Sequence, residues 1–436
     1  MLRTSRHDLD HARPELPEGA RVRIDDVVAR AEEHLVALRR DIHAHPELAF
    51  TEHRTSALVV EELTSLGLSP KRVGPTGVVC DVPGADATDP RGSLEGVTHP
   101  GVGHRRIALR ADMDALPLEE ETGLPFASTK PGVMHACGHD VHTAVLLGAA
   151  HALAALAEAG ELPVTVRLVF QPAEEIQPGG AEALIDAGVL EGTEQIYAVH
   201  CDPKIPTGTI GSRIGSITSA SDPVNVTVRS PGGHTSRPHM TGDVVYALAQ
   251  IVTGATGVLG RRMDPRAGVN LTWGAITAGN ANNAIPTSGC LKGTLRVLDA
   301  DEWERAGRVL RHAIEQIAAP FDVEVEVDHR RGVPPTVNTQ QAVAHIEQAA
   351  HEVVGEDGVH LTEQSLGGED FGWYLRRRPG AMIRLGSREP GTPVTDLHRA
   401  DLRVDEAAIA IGARILARTG VIAGLAPAPP KPPQVA

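Results

Sequence analysis

Side chains that can bind metals or transfer protons follow three short apolar runs of the sequence. The runs occupy residues 107–109, 164–170 and 196–199, and the side chains that follow them are Asp112, Asp114, Glu174, Glu175 and His200. In open α/β sheets, ligands bind beyond the carboxyl ends of the strands. If the three runs are strands of one sheet, these carboxylates and this imidazole are expected to meet at one edge.

A fourth group of candidate ligands lies between the first two of these runs. The segment MHACGHDVH, residues 134–142, contains His135, Cys137, His139, Asp140 and His142. Residues two apart in an extended segment point the same way, so we expect Cys137 and His139 to converge on one ion. A mixture of thiolate, imidazole and carboxylate suits Zn, Mn, Co or Ni better than Mg or Ca.

Each of these features also has an ordinary structural explanation. A single buried cysteine or histidine usually packs or satisfies a hydrogen bond. The pair Glu174 and Glu175 could be solvated, and Asp112 and Asp114 could cap the next helix. All of them fall beside predicted strand ends, and that coincidence favours a metal site.

The elements that must position these residues alternate between strands and helices. We predict strands at residues 78–82, 107–109, 164–170 and 196–199 and helices at 24–42, 51–66, 144–157 and 181–189. The pattern resumes near residue 337, with a helix at 342–354. Alternation of this kind predicts an α/β fold whose sheet is mostly parallel and is flanked by helices.

Residues 216–328 have a different pattern. Two strand–helix–strand units occur there, with strands predicted at 224–228, 269–276, 289–297 and 323–327 and helices at 244–259 and 301–318. They predict a smaller α+β, ferredoxin-like domain. The catalytic domain would then be discontinuous, at 23–215 and 329–423. We predict a long surface loop at 84–104 and disordered ends at 1–22 and at the Pro-rich 424–436.

The composition is that of an ordinary globular protein, with 41% hydrophobic residues in a chain of 436. The net charge of −15 argues against nucleic-acid and anionic membrane partners. The sequence contains no uninterrupted apolar run of 18 residues, and we predict neither a membrane span nor a secretory signal. Scattered cysteines predict a reducing, cytoplasmic location rather than a disulfide framework: Cys80, Cys137, Cys201 and Cys290.

Six segments of the chain resemble the metal-dependent aminoacylase family. That family includes hippurate hydrolases, indole-acetyl-amino acid hydrolases and N-acyl-L-amino acid amidohydrolases. The resemblance extends over roughly residues 25–420, in family order. The segments are LRRDIHAHPELAFTEHRT (38–55), LRADMDALPLEEETGLPFAS (109–128), MHACGHDVHTA (134–144), FQPAEE (170–175), GGHTSRPH (232–239) and GGEDFGWY (367–374).

The resemblance assigns roles to particular residues. It implies two divalent metal ions, of Mn, Zn, Co or Ni, with ligands at Cys137, His139, Glu175, His200 and His398. It implies further that Glu174 is the general base and that Asp114 orients a ligand. His234 would steady the reacting carbonyl, commonly from the partner subunit, and Asn283 and Arg296 would line the substrate pocket. The histidines that it implies to be structural are His43, His45, His135 and His142.

The resemblance also implies the reaction. We expect hydrolysis of the amide bond of a small N-acyl-L-amino acid, with the inserted domain acting as a lid and as the contact of a homodimer. A dipeptidase or carboxypeptidase with the same site is the alternative. A protein that binds metal without catalysis is disfavoured, because Glu174 is present. A nucleotide-dependent enzyme is disfavoured too, because the sequence contains no phosphate-binding glycine motif. After His200 the chain departs from its relatives, with Cys201 where an aromatic residue is common.

Overall fold

The computed structural model of the chain describes residues 14–85 and 105–427, and the chain divides into two compact units. The large unit consists of Met1–Gly215, Asn338–Thr362 and Tyr374–Ala436, and the small unit consists of Ser216–Val337 and Glu363–Trp373. The predicted loop at residues 84–104 lies outside the described residues, except at its first two positions.

The described residues contain nine α-helices and sixteen β-strands. The helices are α1 (Glu18–Ala44), α2 (His53–Ser65), α3 (His139–Glu158), α4 (Ala181–Asp186), α5 (Val244–Arg262), α6 (Ala300–Ala318), α7 (Gln340–Val354), α8 (Gly372–Leu375) and α9 (Ala407–Leu425). The strands are β1 (Lys71–Val73), β2 (Gly77–Val82), β3 (Arg106–Asp112), β4 (Thr165–Gln171), β5 (Thr193–Pro206), β6 (Ile210–Ser212), β7 (Gly215–Thr218), β8 (Ala220–Arg229), β9 (Gly233–His234), β10 (Asn270–Ala278), β11 (Ala284–Ile285), β12 (Ser288–Val297), β13 (Glu324–His329), β14 (Thr336–Asn338), β15 (Val359–Leu361) and β16 (Gly380–Arg388).

The large unit is built on an eight-stranded sheet of order β1-β2-β4-β3-β5-β16-β6-β15. At its centre β3 pairs in parallel with β4 and β5, and β5 pairs in parallel with β16. The pairs β1–β2, β2–β4 and β6–β16 are antiparallel. Central strands of this kind are buried on both faces, and β4 is buried at every residue. The predicted fold class, a mostly parallel sheet flanked by helices, is confirmed.

Among the described helices, three (α3, α5 and α9) are long and apolar enough to cross a membrane by length and composition alone. The expectation that no segment could span a membrane is therefore too strong. It considered only uninterrupted apolar runs, whereas these helices are apolar on average. In α3 and α9, 78% and 83% of the apolar window is buried inside the fold, against 33% in α5. A helix that is apolar all round is a core helix of a large protein or a membrane span. Packing accounts for the composition of α3 and α9.

The small unit has the chain order β8-α5-β10-β12-α6-β13, and its four-stranded antiparallel sheet has the order β10-β12-β8-β13. This is the ferredoxin-like βαββαβ arrangement. Alternate residues of β8 (Val224, Val226 and Val228) are fully buried in one core with Leu248 of α5 and Leu310 of α6. The predicted α+β fold of the insertion is confirmed.

Several predicted boundaries differ from the structure. Helix α1 begins at Glu18 and buries Ala20, so residues 18–22 are helical rather than disordered. Helix α9 continues to Leu425, two residues into the predicted tail. The small unit extends past the predicted end at 328 to Val337 and also takes Glu363–Trp373. Composition located the polar ends but could not show that apolar contacts carry the helices into them.

Two further differences concern the candidate site. Helix α3 begins at His139 rather than at residue 144, so the 134–142 segment is not extended throughout. Gly138 turns the chain there with a left-handed φ of 88°. Strand β5 continues to Pro206, so His200 lies within the strand and not after it. The neighbouring strand β3 pairs with β5 only as far as Ala198, which leaves His200 beside the end of β3.

Candidate metal centre

Three central strands bring acids and a histidine to one edge of the sheet. Asp112, the last residue of β3, is paired with Gln171, the last residue of β4. His200 of β5 is paired with Arg384 of β16, two residues beyond the end of the β3 pairing. Parallel strands end at the same edge, and ligands bind there in open α/β sheets. The predicted convergence of these side chains is therefore observed.

The Asp114 carboxylate holds three neighbouring groups. Oδ1 and Oδ2 accept the backbone N–H groups of Glu174 and Glu175 at 3.0 and 2.9 Å. The ring Nδ1 of His139 lies 2.9 Å from the Asp114 carbonyl oxygen and 3.2 Å from Oδ1. Since Nδ1 donates to oxygen, Nε2 of His139 carries the lone pair. Asp114 thus fixes a histidine ring and the backbone of two glutamates at once.

His139 and His142 lie on the same turn of α3 but differ in what their rings can do. His142 donates from Nδ1 to Asp112 Oδ1 at 2.6 Å, and its Nε2 accepts the Cys201 backbone N–H at 2.8 Å. Both of its nitrogens are used by the protein, which agrees with a structural role for His142. His139 Nε2 is buried and has no hydrogen-bond partner among the described residues.

The side chains of Cys137 and His200 lie close to each other in the cluster. The His200 Nδ1 donates to the Cys201 carbonyl oxygen at 2.8 Å, which leaves Nε2 as the acceptor. That nitrogen lies 3.7 Å from Cys137 Sγ. Two ligands on one tetrahedral zinc ion, at about 2.3 Å for sulfur and 2.0–2.1 Å for nitrogen, are about 3.6 Å apart. The observed separation fits a shared ion.

His398 and Glu175 complete the cluster. The His398 Nε2 lies 3.4 Å from Glu175 Oε1, and the His139 Nε2 lies 3.8 Å from the same oxygen. These distances exceed the usual 2.7–3.2 Å of a hydrogen bond but suit ligands of one ion. His398 has a left-handed φ of 60°, and its N–H donates to the Ala136 carbonyl at 2.8 Å. A strained backbone held in this way is typical of functional sites.

The electrostatics of the cluster favour a bound cation. Burial raises the pKa of the Cys137 thiol well above its ordinary value, and the Glu175 carboxylate raises it further. Burial opposes a charged His139, but Asp112 and the Cys137 sulfur outweigh it and raise the pKa of His139. Burial and Arg384 lower the pKa of His200 and keep it neutral. The negative charge around His139, from Asp112 and the Cys137 sulfur, is of the sign that a bound cation would compensate.

The donor set therefore fits divalent metal ions. Thiolate, neutral imidazole and carboxylate are ligands for Zn and related transition metals. Two of the donors, His139 Nε2 and Glu175 Oε1, are buried without a hydrogen bond in the described part of the chain. Buried polar atoms are almost always satisfied, so an unsatisfied pair that faces a common point indicates a ligand. The nearby Glu174 Oε2 lies 3.9 Å from His139 Nε2.

The backbone before Glu174 depends on a residue that the sequence did not indicate. Ala173 has a left-handed φ of 57°, and its N–H donates to Glu52 Oε1 at 2.9 Å. The other Glu52 oxygen accepts the Thr76 hydroxyl at 2.5 Å. Glu52 lies 121 positions before Ala173, and nothing in a single sequence links the two.

The remaining predicted residues lie in the small unit. His234 of β9 is paired with Ala284 of β11, and the Thr235 N–H donates to the Asn283 carbonyl at 3.3 Å. His234 and Asn283 are thus neighbours, and both are exposed. Arg296 lies at the far end of β12, where its guanidinium donates to the Leu366 carbonyl. The structure brings two of the three together and leaves Arg296 apart.

The histidines predicted to be structural differ among themselves. His43 is buried, and its Nδ1 lies 2.8 Å from Asp140 Oδ2. His45 is 44% exposed. Their side chains do not form a chelating pair. His135 is buried, and neither ring nitrogen has a hydrogen-bond partner among the described residues.

Comparison with known proteins gives a consistent result. A family model described as peptidase family M20/M25/M40 matches residues 108–420. A solved structure from Bacillus subtilis, described as a dinuclear metal binding peptidase from the M20 family, is 32% identical to the chain. The match covers 91% of this chain and 99% of that one, with a TM-score of 0.74.

Three relatives illustrate the range of named activities. A putative glutamate–cysteine ligase 2-3 of Rhodococcus jostii is 47% identical over 88% of this chain, which spans only 46% of that protein. Thermostable carboxypeptidase 1 of Saccharolobus solfataricus is 36% identical over 88% of this chain and 94% of its own length. The N-acetyl-L-cysteine deacetylase of Bacillus subtilis is 34% identical over 87% of this chain and 85% of its own length.

The fold and the collected donors define a metal-dependent amidohydrolase. The chain belongs to peptidase family M20/M25/M40, because the family model covers most of it and relatives above 30% identity extend along most of its length. Both the resemblance and the enzyme class predicted from the sequence are confirmed.

Proposed function

We propose that the protein hydrolyses the amide bond of N-acyl-L-amino acids with two divalent metal ions. The observation that carries this proposal is a pair of buried atoms beside Glu174, His139 Nε2 and Glu175 Oε1, neither of which has a hydrogen bond to any residue that the structure describes. A metal-hydrolase centre needs such donors, and a solely structural cluster would satisfy them. Support for the substrate class comes from relatives named as N-acyl amino acid deacetylases.

The ligands proposed for the two ions are Cys137, His139, Glu175, His200 and His398. Their donor atoms form overlapping groups, and the atoms of each group lie within 4.8 Å of one another. Cys137 belongs both to a group with His139 and His200 and to a group with Glu175 and His398. Cys137 would thus be a ligand available to both groups. Mn, Zn, Co and Ni all accept this mixture of ligands.

Divalent ions held by these five residues would supply an activated water nucleophile and positive charge for the developing oxyanion. Glu174 accepts the proton of that water and returns it to the departing amine. Its backbone N–H is held by Asp114, so its carboxylate is carried on a fixed main chain next to His139. Asp114 keeps the ring of His139 in the tautomer whose Nε2 can bind a metal.

The small-unit residues are proposed to contact the substrate. His234 would donate a hydrogen bond to the oxyanion, a role worth about 3 kcal/mol for a well-placed donor. Its Nδ1 already accepts the Ser236 N–H at 3.1 Å, which leaves Nε2 as the donor. Asn283 and Arg296 are proposed to bind the substrate. A homodimer formed through the small unit and a cytoplasmic location remain predictions.

A hydrolysis panel tests the substrate class. The full chain, stripped with a chelator and reloaded separately with Mn²⁺, Zn²⁺ or Co²⁺, is given N-acetyl, N-benzoyl, long-acyl and indole-acetyl amino acids together with dipeptides. We expect release of the free amino acid from at least one N-acyl series and none from the stripped protein. Equal rates with and without metal would contradict the proposal.

The second candidate is a carboxypeptidase or dipeptidase that uses the same centre. A relative named thermostable carboxypeptidase 1, 36% identical to this chain, favours this alternative. The same panel distinguishes the two candidates. Hydrolysis of dipeptides or of C-terminal residues, with no hydrolysis of any N-acyl amino acid, would favour the peptidase.

A further inference from the structure

A second cluster of metal-binding side chains lies on the helices of the large unit. It consists of His34 of α1, Glu62 of α2 and His151 of α3, and none of these residues belongs to the metal centre. The His34 Nε2 lies 2.9 Å and the His151 Nε2 2.7 Å from the same atom, Glu62 Oε1. Three helices thus bring three ligand atoms to one point.

The identity and spacing of these atoms suit a transition metal. Two imidazoles and one carboxylate form a ligand set that zinc accepts, with a water in the fourth position. Ligands of a tetrahedral zinc ion lie about 3.3–3.4 Å apart at the usual zinc–nitrogen and zinc–oxygen lengths. The two observed nitrogen–oxygen distances are about half an ångström shorter, a gap that small side-chain rotations would close.

The exposure of His34 leaves a path from solvent to the cluster. The Glu62 and His151 side chains are 11% and 18% exposed, which fixes them, whereas His34 is 52% exposed. The two imidazole rings stand edge to face, with centroids 6.1 Å apart. A water molecule can therefore complete the coordination from the solvent side.

We propose that His34, Glu62 and His151 form a separate binding site for one transition-metal ion such as Zn²⁺. An ion there joins α1, α2 and α3. His151 is twelve residues after His139 on α3, which places it about 18 Å further along the helix at 1.5 Å per residue. The ion therefore stabilises the same helix that carries His139, without contacting the metal centre. This proposal does not depend on the proposed function.

Metal stoichiometry tests the site. The full chain, with its metal centre loaded with Zn²⁺, is dialysed against buffered micromolar free Zn²⁺, and bound zinc is counted by elemental analysis. We expect the wild type to bind one more Zn²⁺ than His34→Ala, and His34→Ala to lose the zinc-dependent rise in Tm. Loss of a ligand should weaken binding by more than the roughly 10- to 100-fold caused by losing an outer hydrogen-bond partner.

His53→Ala is the matched control, because His53 is an exposed histidine of α2 outside the cluster. It should keep the additional ion, and His151→Ala should lose it as His34→Ala does. Equal zinc counts in the wild type, His34→Ala and His151→Ala would overturn the proposal, as would loss of one ion in His53→Ala. Zinc counts do not depend on activity, so a failed hydrolysis panel leaves this test valid.

Discussion

Two clusters of the large unit each place a buried histidine against a carboxylate, and they meet at the first turn of α3. The metal centre contains His139, and the next residue, Asp140, belongs to a buried ion network with Arg39, His43 and Glu120. In the ion network, Asp140 Oδ2 accepts from Arg39 Nε at 2.7 Å and His43 Nδ1 at 2.8 Å, and Glu120 Oε1 lies 3.2 Å from His43 Nε2. In the metal centre, His139 Nε2 has no such partner among the described residues.

The difference concerns how a histidine that could bind a metal differs from one whose ring is fully used by the fold. His43 and His139 are both buried, and each is in contact with a carboxylate. What differs is whether the protein uses the second ring nitrogen. A ring with both nitrogens engaged stabilises the fold, whereas a ring with one nitrogen held and the other free can bind a metal. Changes in the metal centre should therefore reduce activity, and changes in the ion network should reduce stability.

The largest expected effect is on turnover. Glu174→Gln removes the proposed general base and should lower kcat by about 10²–10⁴-fold, the usual contribution of such a group. Metal content should not change, because Glu174 is not among the proposed ligands. Steady-state kinetics and elemental analysis of the same sample measure both quantities.

Glu182→Gln serves as the control for that experiment, since Glu182 is a partly exposed residue of α4. It should retain the wild-type kcat. If Glu174→Gln loses metal together with activity, Glu174 is a ligand rather than the base. Substantial residual turnover with the metal retained would also refute the assignment.

The second expected effect is on stability. Arg39→Leu leaves the buried Asp140 without its strongest partner, and breaking a buried ion pair in this way costs about 3–5 kcal/mol. Arg40→Leu is the matched control, because Arg40 is half exposed and pairs with Glu406 at the surface, where ion pairs contribute about 0–1 kcal/mol. Urea denaturation of both variants gives the two free energies of unfolding. Equal losses would remove the distinction between the buried network and the surface.

The third expected effect is on metal affinity. Asp114→Asn replaces a carboxylate oxygen with an amide group that cannot accept one of the two glutamate N–H groups, and it weakens the hold on His139. Metal affinity should fall by about 10- to 100-fold, as observed when groups that orient ligands are lost. Competition with a chelator measures this change.

Asp81→Asn is the comparison for Asp114→Asn. Asp81 also holds neighbouring groups, since its oxygens accept from Arg167 and Arg106, but none of these is a proposed ligand. Asp81→Asn should lower stability and leave metal affinity unchanged. An equal loss of metal affinity in both variants would mean that general destabilisation, not the orientation of His139, is the cause.

The fold was largely predictable from the sequence because its elements have clear apolar patterns. Strand β8 of the small unit alternates between buried and less buried residues, and strand β4 of the large unit is short and apolar. The end of β5 was not predictable, since the apolar run ends at Val199 and the mixed residues after it are kept in the strand by pairing with β16 as far as Pro206. The start of α3 was missed because Gly138, which turns the chain into the helix, reads as a break.

The metal centre was predictable only in part. Strand ends indicated Glu175 and His200, and the resemblance supplied His398, whose left-handed backbone leaves no mark in a sequence. The tautomers that separate His139 from His142 depend on acceptors at Asp114 and Asp112, which lie 25 and 30 residues away. No pattern in the sequence indicated that Glu52 holds the backbone before Glu174. These contacts are made by the fold, and no local pattern encodes them.

The smallest expected effect is a pH dependence of stability that comes from the ion network. Burial disfavours a charged His43, but Asp140 and Glu120 outweigh burial and raise its pKa above the ordinary value. A raised folded-state pKa contributes stability that is fully present below the unfolded pKa of about 6.5. That contribution is lost as the pH rises through the folded pKa. We expect the free energy of unfolding to fall over this range in the wild type and to fall less in His43→Asn.

The neighbouring histidine provides the control. His45 is 44% exposed and lies beside Asp41 rather than beside a residue of the ion network. His45→Asn should therefore keep the wild-type dependence of the free energy of unfolding on pH. The slope, rather than the absolute stability, is the quantity compared, because His43→Asn also loses packing. If both variants keep the wild-type slope, His43 does not change its protonation between the folded and unfolded states. The ion network would then stabilise the protein through fixed charges alone, and the contrast with the metal centre would rest on geometry rather than on titration.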